Sequence, residues 1–502
     1  MRKPRSLYLP VLLVFLATMP ASPQSFRVQC PTSTPLHNAD SGAPGGIKCQ
    51  QISGGDGYAT MADGTQTYLF AFGPLSGLND IAKGLPGTQP ASVFLTPYDP
   101  AAAPDSTASN GAVGLVPDPD AGGAFTGHVD PRQIMDVGVM NGNMPAPMMA
   151  IDEDDEFFLT LTNVGMIMRP DLFEQHTVHF HGYPNASSFY DGVPDASVAI
   201  NIGGSFTYYY LAPDAGTYFW HCHITPPEHL QMGMVGQLYV RPRQNRLASG
   251  DSLYAGLQAQ QTPVRTRSDC NNDILCSSPL PPSNSTPRAP TGLYAYNDGD
   301  GSTHYDVEYP IQIHGFDPNF HFVGMTFNPE GFSDMKDKYF LLNGRSYPDT
   351  INTSGYHDIS LAPGNSDLVG APRVSSAFYT QDADGVQRPS QPLPTVINIP
   401  AGGRALLRIS DLDVSEYQTL ASLGIPMQVI AINARLLRDQ SGNNLYYTTN
   451  SITLAGGESI DVILDATGYK PGRTFYLYTP NLDHLSNDAE NFGGLMTEIH
   501  IN

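Results

Sequence analysis

Basic side chains are scarce in this chain: 25 Lys and Arg stand against 48 Asp and Glu, for a net charge of −23. That balance excludes nucleic acid as a partner, because phosphate binding is carried by cations. Charged residues of both signs make up only 15%, and no long amphipathic helix pattern is present. Gly and Pro, at 49 and 44 residues, point instead to a turn-rich β architecture. Apolar runs of membrane length are missing too, so the chain is not expected to span a membrane. The one apolar run near the N-terminus, Leu7 to about Ala17, follows Arg2, Lys3 and Arg5 and precedes small residues. Residues 1–24 therefore read as a secretory signal peptide, and the mature protein is expected in the periplasm, at the cell surface or secreted.

Cysteine is also scarce, and its number is odd: five in an exported protein leave one unpaired. Cys270 and Cys276 bracket "NNDIL" closely enough for a loop disulfide. Cys30 and Cys49 are a second candidate pair, which leaves Cys222 over. A lone thiol outside the cytosol needs an occupation, and a metal supplies one.

At 502 residues the chain is long enough for two cores, and it repeats itself at an offset of roughly 250 residues. "IDEDDEFFLTLTN" (151–163) alternates apolar and polar residues after a turn, as "IPAGGRALLRISD" (399–411) does. "GMVGQLYV" (233–240) corresponds to "GLMTEIHI" (494–501). Short strands at this spacing predict an all-β chain of two Greek-key β-sandwich domains. The first covers residues 25–243 with a long Gly- and Pro-rich insertion at about 76–130, residues 244–300 form a linker, and the second covers 301–502. The acidic run "DEDDE" (152–156) is expected to be a solvated turn. Asp298, Asp300, Ser302 and Asp306 alternate as in a calcium loop but lack the closing Glu of an EF-hand.

The chemistry concentrates in "HTVHFHG" (176–182) and "HCHITPPEHLQMGM" (221–234). Strand side chains alternate, so His179 and His181 share one face while His176 takes the other; likewise His221 and His223 oppose Cys222. If the two segments are neighbours, two clusters form back to back. One gathers His176, Cys222, His229 and Met234, a thiolate, two imidazoles and a thioether, which is the donor set of a blue copper centre. Zinc is the rival, but structural zinc sites favour paired cysteines over thioether sulfur. The other gathers His179, His181, His221 and His223, four imidazoles suited to copper that binds oxygen or a small anion. Because Cys222 is bonded to His221 and His223, a covalent path joins the two.

These segments resemble the C-terminal signature of the multicopper oxidases, and the resemblance extends to "NGNMPAPMMAIDEDDEFFLTLTN", "FYDGVPDASVAINIGGSFTYYYLAPDAGTYFW" and, in the second copy, "FLLNGRSYPDT". It covers most of residues 50–502 and is closest to bacterial exported members linked to manganese or iron metabolism. The resemblance implies cupredoxin domains and several copper ions. It places type 1 copper on His176, Cys222, His229 and Met234, type 2 copper on His179, and a type 3 pair on His181, His221 and His223. Cys222, His221 and His223 become the catalytic electron path. Dioxygen is the implied oxidant, and a metal ion such as Mn(II) or Fe(II), a phenol or a redox partner protein the implied reductant.

Two departures from the family pattern stand out. The step from Cys222 to His229 is two residues longer than in laccases, and Pro226 and Pro227 stiffen it. More seriously, the family's trinuclear centre takes eight histidines from two domains, and the second copy offers none. Met427, Ile430 and Ile432 stand where His176, His179 and His181 stand, and Tyr478, Thr479, Pro480 and Leu495 replace His221, Cys222, His223 and Met234. The second domain is thus expected to be a cupredoxin without copper ligands. His314 and His321 are candidates to reach a neighbouring chain's cluster in a homo-oligomer. Two alternatives stay open: a blue copper electron carrier, and a trimeric enzyme like the copper nitrite reductases, whose relatives carry other residues at the positions of His179 and His223.

Overall fold

The computed structural model describes residues 27–38, 45–61, 66–103, 106–182, 187–212, 214–260, 280, 283–326, 331–351, 378–381, 387–390, 393, 395–487 and 490–502. The expected signal peptide and the Cys270–Cys276 pair lie outside them.

Alternation along the chain builds two sandwiches. In the first, β1 (Ile47–Thr60), β2 (Gln66–Pro74), β4 (Glu156–Gly165) and β6 (Ser205–Leu211) form one sheet in the order β2-β1-β4-β6. β3 (Met149–Asp152), β5 (His179–Phe180), β7 (Gly216–His221) and β8 (Val235–Arg241) form the facing sheet in the order β3-β8-β7-β5. Between them lie Phe70, Phe72, Leu159, Leu161, Trp220, Leu238 and Cys222, all buried. Residues 76–130 do not dangle as a loop: Leu78, Phe94, Val113, Leu115 and Val129 pack with Val28, Ile47 and Val164 as an extra layer. Cys30 and Cys49, joined in a disulfide, belong to that layer.

The second sandwich pairs β9 (Val307–Phe316), β10 (Tyr339–Leu342), β12 (Arg404–Asp411), β14 (Met427–Ile432), β15 (Arg435–Leu436) and β17 (Ser459–Asp465) in the order β10-β9-β12-β17-β14-β15. Its other sheet runs β11-β19-β18-β13-β16, from β11 (Ile397–Ile399), β13 (Gln418–Leu423), β16 (Ser451–Leu454), β18 (Arg473–Tyr478) and β19 (Met496–Ile501). Along β19 burial alternates residue by residue, one face in the core and one toward water.

β7 is buried on both faces, and this decides where the chemistry sits. Tyr218 and Trp220 point into the first core. Thr217 points the other way, donating to Asp461 Oδ1 at 2.6 Å, and Gln237 on β8 donates to Ser410 Oγ at 2.6 Å. The second sandwich therefore covers the outer face of the β7/β8 sheet.

The acidic run corrects its sequence reading. Glu153, Asp154, Asp155 and Glu156 are buried rather than solvated. Glu153 accepts from the backbone N–H of Arg243 at 2.6 Å and from Asn297, and Arg246 donates to Asp154 at 2.5 Å. These partners lie some ninety residues or more downstream, beyond the reach of local pattern. The Asp298 loop also closes on itself: its carboxylate accepts from the N–H groups of Asp300, Gly301 and Thr303, from the Thr303 hydroxyl and from Gln244.

Candidate metal centre

β7 runs out at His221, and the alternation carries on through Cys222 and His223. Cys222 enters the first core with zero exposure. His176, Cys222 and His229 bring their ligand atoms within 4.8 Å of one another, and His229 Nδ1 stands 3.2 Å from Cys222 Sγ. The backbone N–H of Thr177 donates to the same sulfur at 3.4 Å. Met234 is tied in by its backbone, donating to the His229 carbonyl at 2.8 Å and accepting from Cys222 N at 3.1 Å. Its side chain reaches the same cavity as His176: a Cβ on Gly54 would stand 2.7 Å from His176 Cδ2 and 3.3 Å from Met234 Cε. Glycine at 54 leaves the room that the imidazole takes.

Both ring nitrogens of His176 are buried without a hydrogen bond. Leaving such atoms unpaired costs free energy, and a metal ion removes the cost by taking one lone pair. Burial alone would push the Cys222 thiol up, but the charge on His229, with the His176 and His229 imidazoles set beside the sulfur, outweighs it and holds the thiol well below its usual range. Burial would lower His229; the Cys222 thiolate reverses this and raises it to about 10. Each group thus favours the charged form of the other, and a soft cation held between the sulfur and the imidazole nitrogens fits this donor set.

The second cluster forms on the opposite face. His179, His181 and His221 bring ligand atoms within 4.8 Å of one another, and the His223 ring lies 5.1 Å from that of His179. β5 pairs His179 with His221 directly. His179 Nδ1 donates to the Asp191 carbonyl at 2.7 Å and His221 Nδ1 to the Cys222 carbonyl, which makes Nε2 of each ring the acceptor lone pair. The Nε2 atoms of His181 and His221 face each other at 2.9 Å. Burial, with neighbouring histidines adding to it, lowers His181 to about 4 and holds His221 well below the usual imidazole range. Both rings are thus neutral ligands at neutral pH.

Residues that the sequence reading missed hold this arrangement. Thr177 spans both clusters, donating its N–H to Cys222 Sγ and accepting from His223 N at 2.9 Å through Oγ1. Glu174 lies 3.5 Å from His229 Nε2 and is partly exposed, so it links the buried ligand to the surface. Gly457 of the second sandwich presses on His181: at φ +86, a Cβ there would lie 2.8 Å from Nδ1 and Cε1. Gly457→Ala should therefore displace His181, strain the loop by about 1–2 kcal/mol, and lower copper retained by the histidine cluster while the blue band of the Cys222 cluster persists. Metal analysis alongside the absorption spectrum reads both.

His314 and His321, offered above as ligands for a neighbouring chain, are buried inside this one. His321 sets one ring nitrogen against the Tyr68 carbonyl and the other against the Gln231 carbonyl at 2.9 Å, its single N–H serving one of them, and His314 Nε2 approaches the Gln231 carbonyl at 3.4 Å. Gln231 ends the helix Pro226–Gln231 that carries His229. Its side chain donates to Asp337 at 3.0 Å and accepts from Asp317 N at 2.9 Å. The second sandwich thus clamps the His229 helix without giving a ligand. Gln231→Leu should cost about 1–3 kcal/mol through the polar groups it orphans, and should shift the blue absorption maximum with copper still bound. Among the described residues no histidine of the second sandwich joins either cluster.

Residues 126–245 match the family model for multicopper oxidases, and that span contains every residue of both clusters. A laccase (abr2) of Aspergillus fumigatus is 34% identical over 109 residues, 21% of this chain and 17% of its own length. The copper-containing nitrite reductase of Neorhizobium galegae is 34% identical over 106 residues, 20% of this chain and 25% of its own. The chain thus spans no more than about a quarter of these relatives' lengths. Among solved structures, the blue copper oxidase of Nitrosomonas europaea aligns over 90% of this chain and 85% of its own, at 17% identity and a TM-score of 0.49.

Proposed function

We propose that the chain is a copper-dependent oxidoreductase of the multicopper oxidase kind, which takes single electrons from a reductant at the Cys222 cluster and uses them at the histidine cluster to reduce dioxygen. One observation supports this reading: in the tripeptide His221–Cys222–His223 the buried cysteine sulfur faces one ligand set and its two bonded neighbours lie with the other. His176, Cys222, His229 and Met234 would hold type 1 copper, His179 type 2 copper, and His181, His221 and His223 the type 3 pair. When bound, these ions supply one-electron transfer at the first cluster and oxygen binding at the second.

The chain's own residues do the rest. Glu174 offers a cationic or phenolic reductant a carboxylate in contact with His229, which favours Mn(II), Fe(II) or a phenol as donor. Thr177 and the Gln231 clamp keep Cys222 and His229 in register. The first sandwich is the copper domain, the second its structural cover, and the location exported.

Four coppers per chain, blue absorption, and oxygen uptake that His179→Ala abolishes while the colour stays would be the oxidase result. One copper with no oxygen uptake would sink it and leave an electron carrier. A nitrite reductase-like enzyme is the second reading, favoured because the described residues supply histidines from one sandwich only. Two coppers per chain and nitrite-dependent turnover would mark it.

A further inference from the structure

Tyrosine is plentiful here, at 26 residues against a single tryptophan, and much of it crowds around the clusters in the stretch "SFTYYYL" and its neighbours. The tryptophan, Trp220, is peptide-bonded to His221 and fully buried. Its ring has Phe72 at 5.0 Å on one side and Phe180 at 5.8 Å on the other, and from Phe180 the file continues to Tyr210 at 4.8 Å, which stacks on Tyr208 at 6.3 Å with the planes 7° apart. Tyr208 also stands beside the first cluster: Val178 N donates to its hydroxyl at 3.0 Å, next to the Thr177 N–H that binds Cys222 Sγ. Outward from Tyr208 come Phe206 at 4.8 Å, Tyr190 at 6.0 Å and Tyr209 at 6.1 Å.

The hydroxyl partners along this file differ in one place. Tyr210 donates to the Tyr190 carbonyl at 3.0 Å, and Trp220 buries its Nε1 without a partner. The Tyr190 carbonyl is too weak a base to take the proton of an oxidised phenol. Tyr209 donates to a carboxylate, Glu156 Oε1, at 2.8 Å. The other oxygen of Glu156 is held by His37 at 2.7 Å and by the Thr34 hydroxyl. The site is built: Glu156 is 3% exposed, while Tyr209 is half-buried and Phe189, packed on Tyr190, is 51% exposed.

We propose that Trp220, Tyr210, Tyr208, Tyr190 and Tyr209 form a relay that carries an oxidising equivalent away from the copper clusters to Tyr209, a second, near-surface site of one-electron oxidation. Its natural oxidant would be dioxygen acting at the histidine cluster once copper fills it, and for this the relay rests on the function proposed above. Each hop moves one electron inward and restores the residue behind it. At Tyr209 the phenol gives up one electron to the oxidised ring of Tyr190, and its proton passes from Oη to Glu156 Oε1, leaving a neutral phenoxyl radical. A one-electron reductant at the surface, a small phenol or an enediol, then returns the electron. Glu156 returns the proton, and the reductant is left as its own radical. Phe180 and Phe206 are not oxidised and serve only as bridges. The relay discharges the clusters when no electron arrives through Cys222, and it opens a second surface at which phenols are oxidised.

The test separates the relay from the oxidase reading by supplying the oxidant from outside. The copper-loaded chain is flashed with a ruthenium polypyridyl and a sacrificial electron acceptor, and radicals are trapped by freeze-quench electron paramagnetic resonance. In the unaltered chain the trapped signal is a tyrosyl radical. It is lost or moved to another ring in Tyr209→Phe, and it rises about tenfold or more slowly in Glu156→Gln, where the base is gone. Melting curves and the blue band, unchanged in Tyr209→Phe, exclude misfolding. The same tyrosyl signal in Tyr209→Phe, or an equal rate in Glu156→Gln, overturns the relay. A second arm mixes the fully reduced holoprotein with oxygen in the absence of donor. A Tyr209 radical there supports the natural oxidant, and its absence despite a positive flash arm counts against the oxygen-reducing reading rather than the relay.

Discussion

Cys222→Ser should abolish both the blue absorption and oxygen uptake, each to the background of its assay. The sulfur is the one soft anionic donor in the first cluster, fully buried, with His229 Nδ1 at 3.2 Å and the Thr177 N–H at 3.4 Å. A serine hydroxyl fits the space but stays protonated at neutral pH, and it lacks the polarisable lone pairs that make thiolate-to-copper absorption intense. On the proposed function it also breaks the shortest route between the clusters, since the sulfur and the His221 and His223 rings share one stretch of backbone. The fold should hold, because the change removes little volume from a core also filled by Phe72, Trp220 and Leu238. Blue colour surviving in Cys222→Ser, measured with equal copper content, would mean that another residue supplies the thiolate and would remove the assignment.

Much of this centre is legible in the sequence because strand alternation is a strict rule. Once "HTVHFHG" and "HCH" are read as strands, the separation of His176 and Cys222 from His179, His181, His221 and His223 follows. The structure places them so, although only His179 and Phe180 of the first segment are regular strand. His229 and Met234 also fall at the first cluster, brought there by a short helix and turn that the spacing alone does not describe. What stayed hidden has one physical character: it depends on contacts between segments far apart in sequence. Gly457 touches His181 from the other sandwich, Gly54 clears space for His176, and the "DEDDE" carboxylates meet Arg246 and Asn297 from beyond the first domain. His314 and His321 looked free because nothing local pairs them, yet their partners are backbone carbonyls at Tyr68, Gln231 and Leu412.

The largest effect on stability is expected at Glu308, on β9 of the second sandwich. Its Oε1 accepts from Arg241 Nη2 at 2.6 Å, across from the first sandwich, and its Oε2 accepts from Arg408 Nε at 3.1 Å and Tyr305 at 2.9 Å. Both guanidinium groups lie over the Tyr239 ring, at 4.7 Å for Arg408 and 5.1 Å for Arg241. Burial would raise the Glu308 carboxyl, but the charges of Arg408 and Arg241 outweigh it and hold it below its usual range. Glu308→Ala leaves Arg408, which has no exposed surface, and Arg241 facing each other across the sandwich interface with their shared anion gone. An orphaned charge of this kind costs about 3–5 kcal/mol, which should appear as a lower midpoint in urea at unchanged slope. A loss below about 1 kcal/mol would place the pair in water rather than in the interface. Replacing Glu308, Arg408 and Arg241 together by apolar residues of similar size should recover most of the loss, because the cost lies in the unpaired charge and not in the missing ion pair. The copper readout should follow the geometry. The β7 strand that Arg408 meets through Thr217 Oγ1, at 3.3 Å, ends at His221, so loosening this interface should release metal from the histidine cluster before the Cys222 cluster loses its colour.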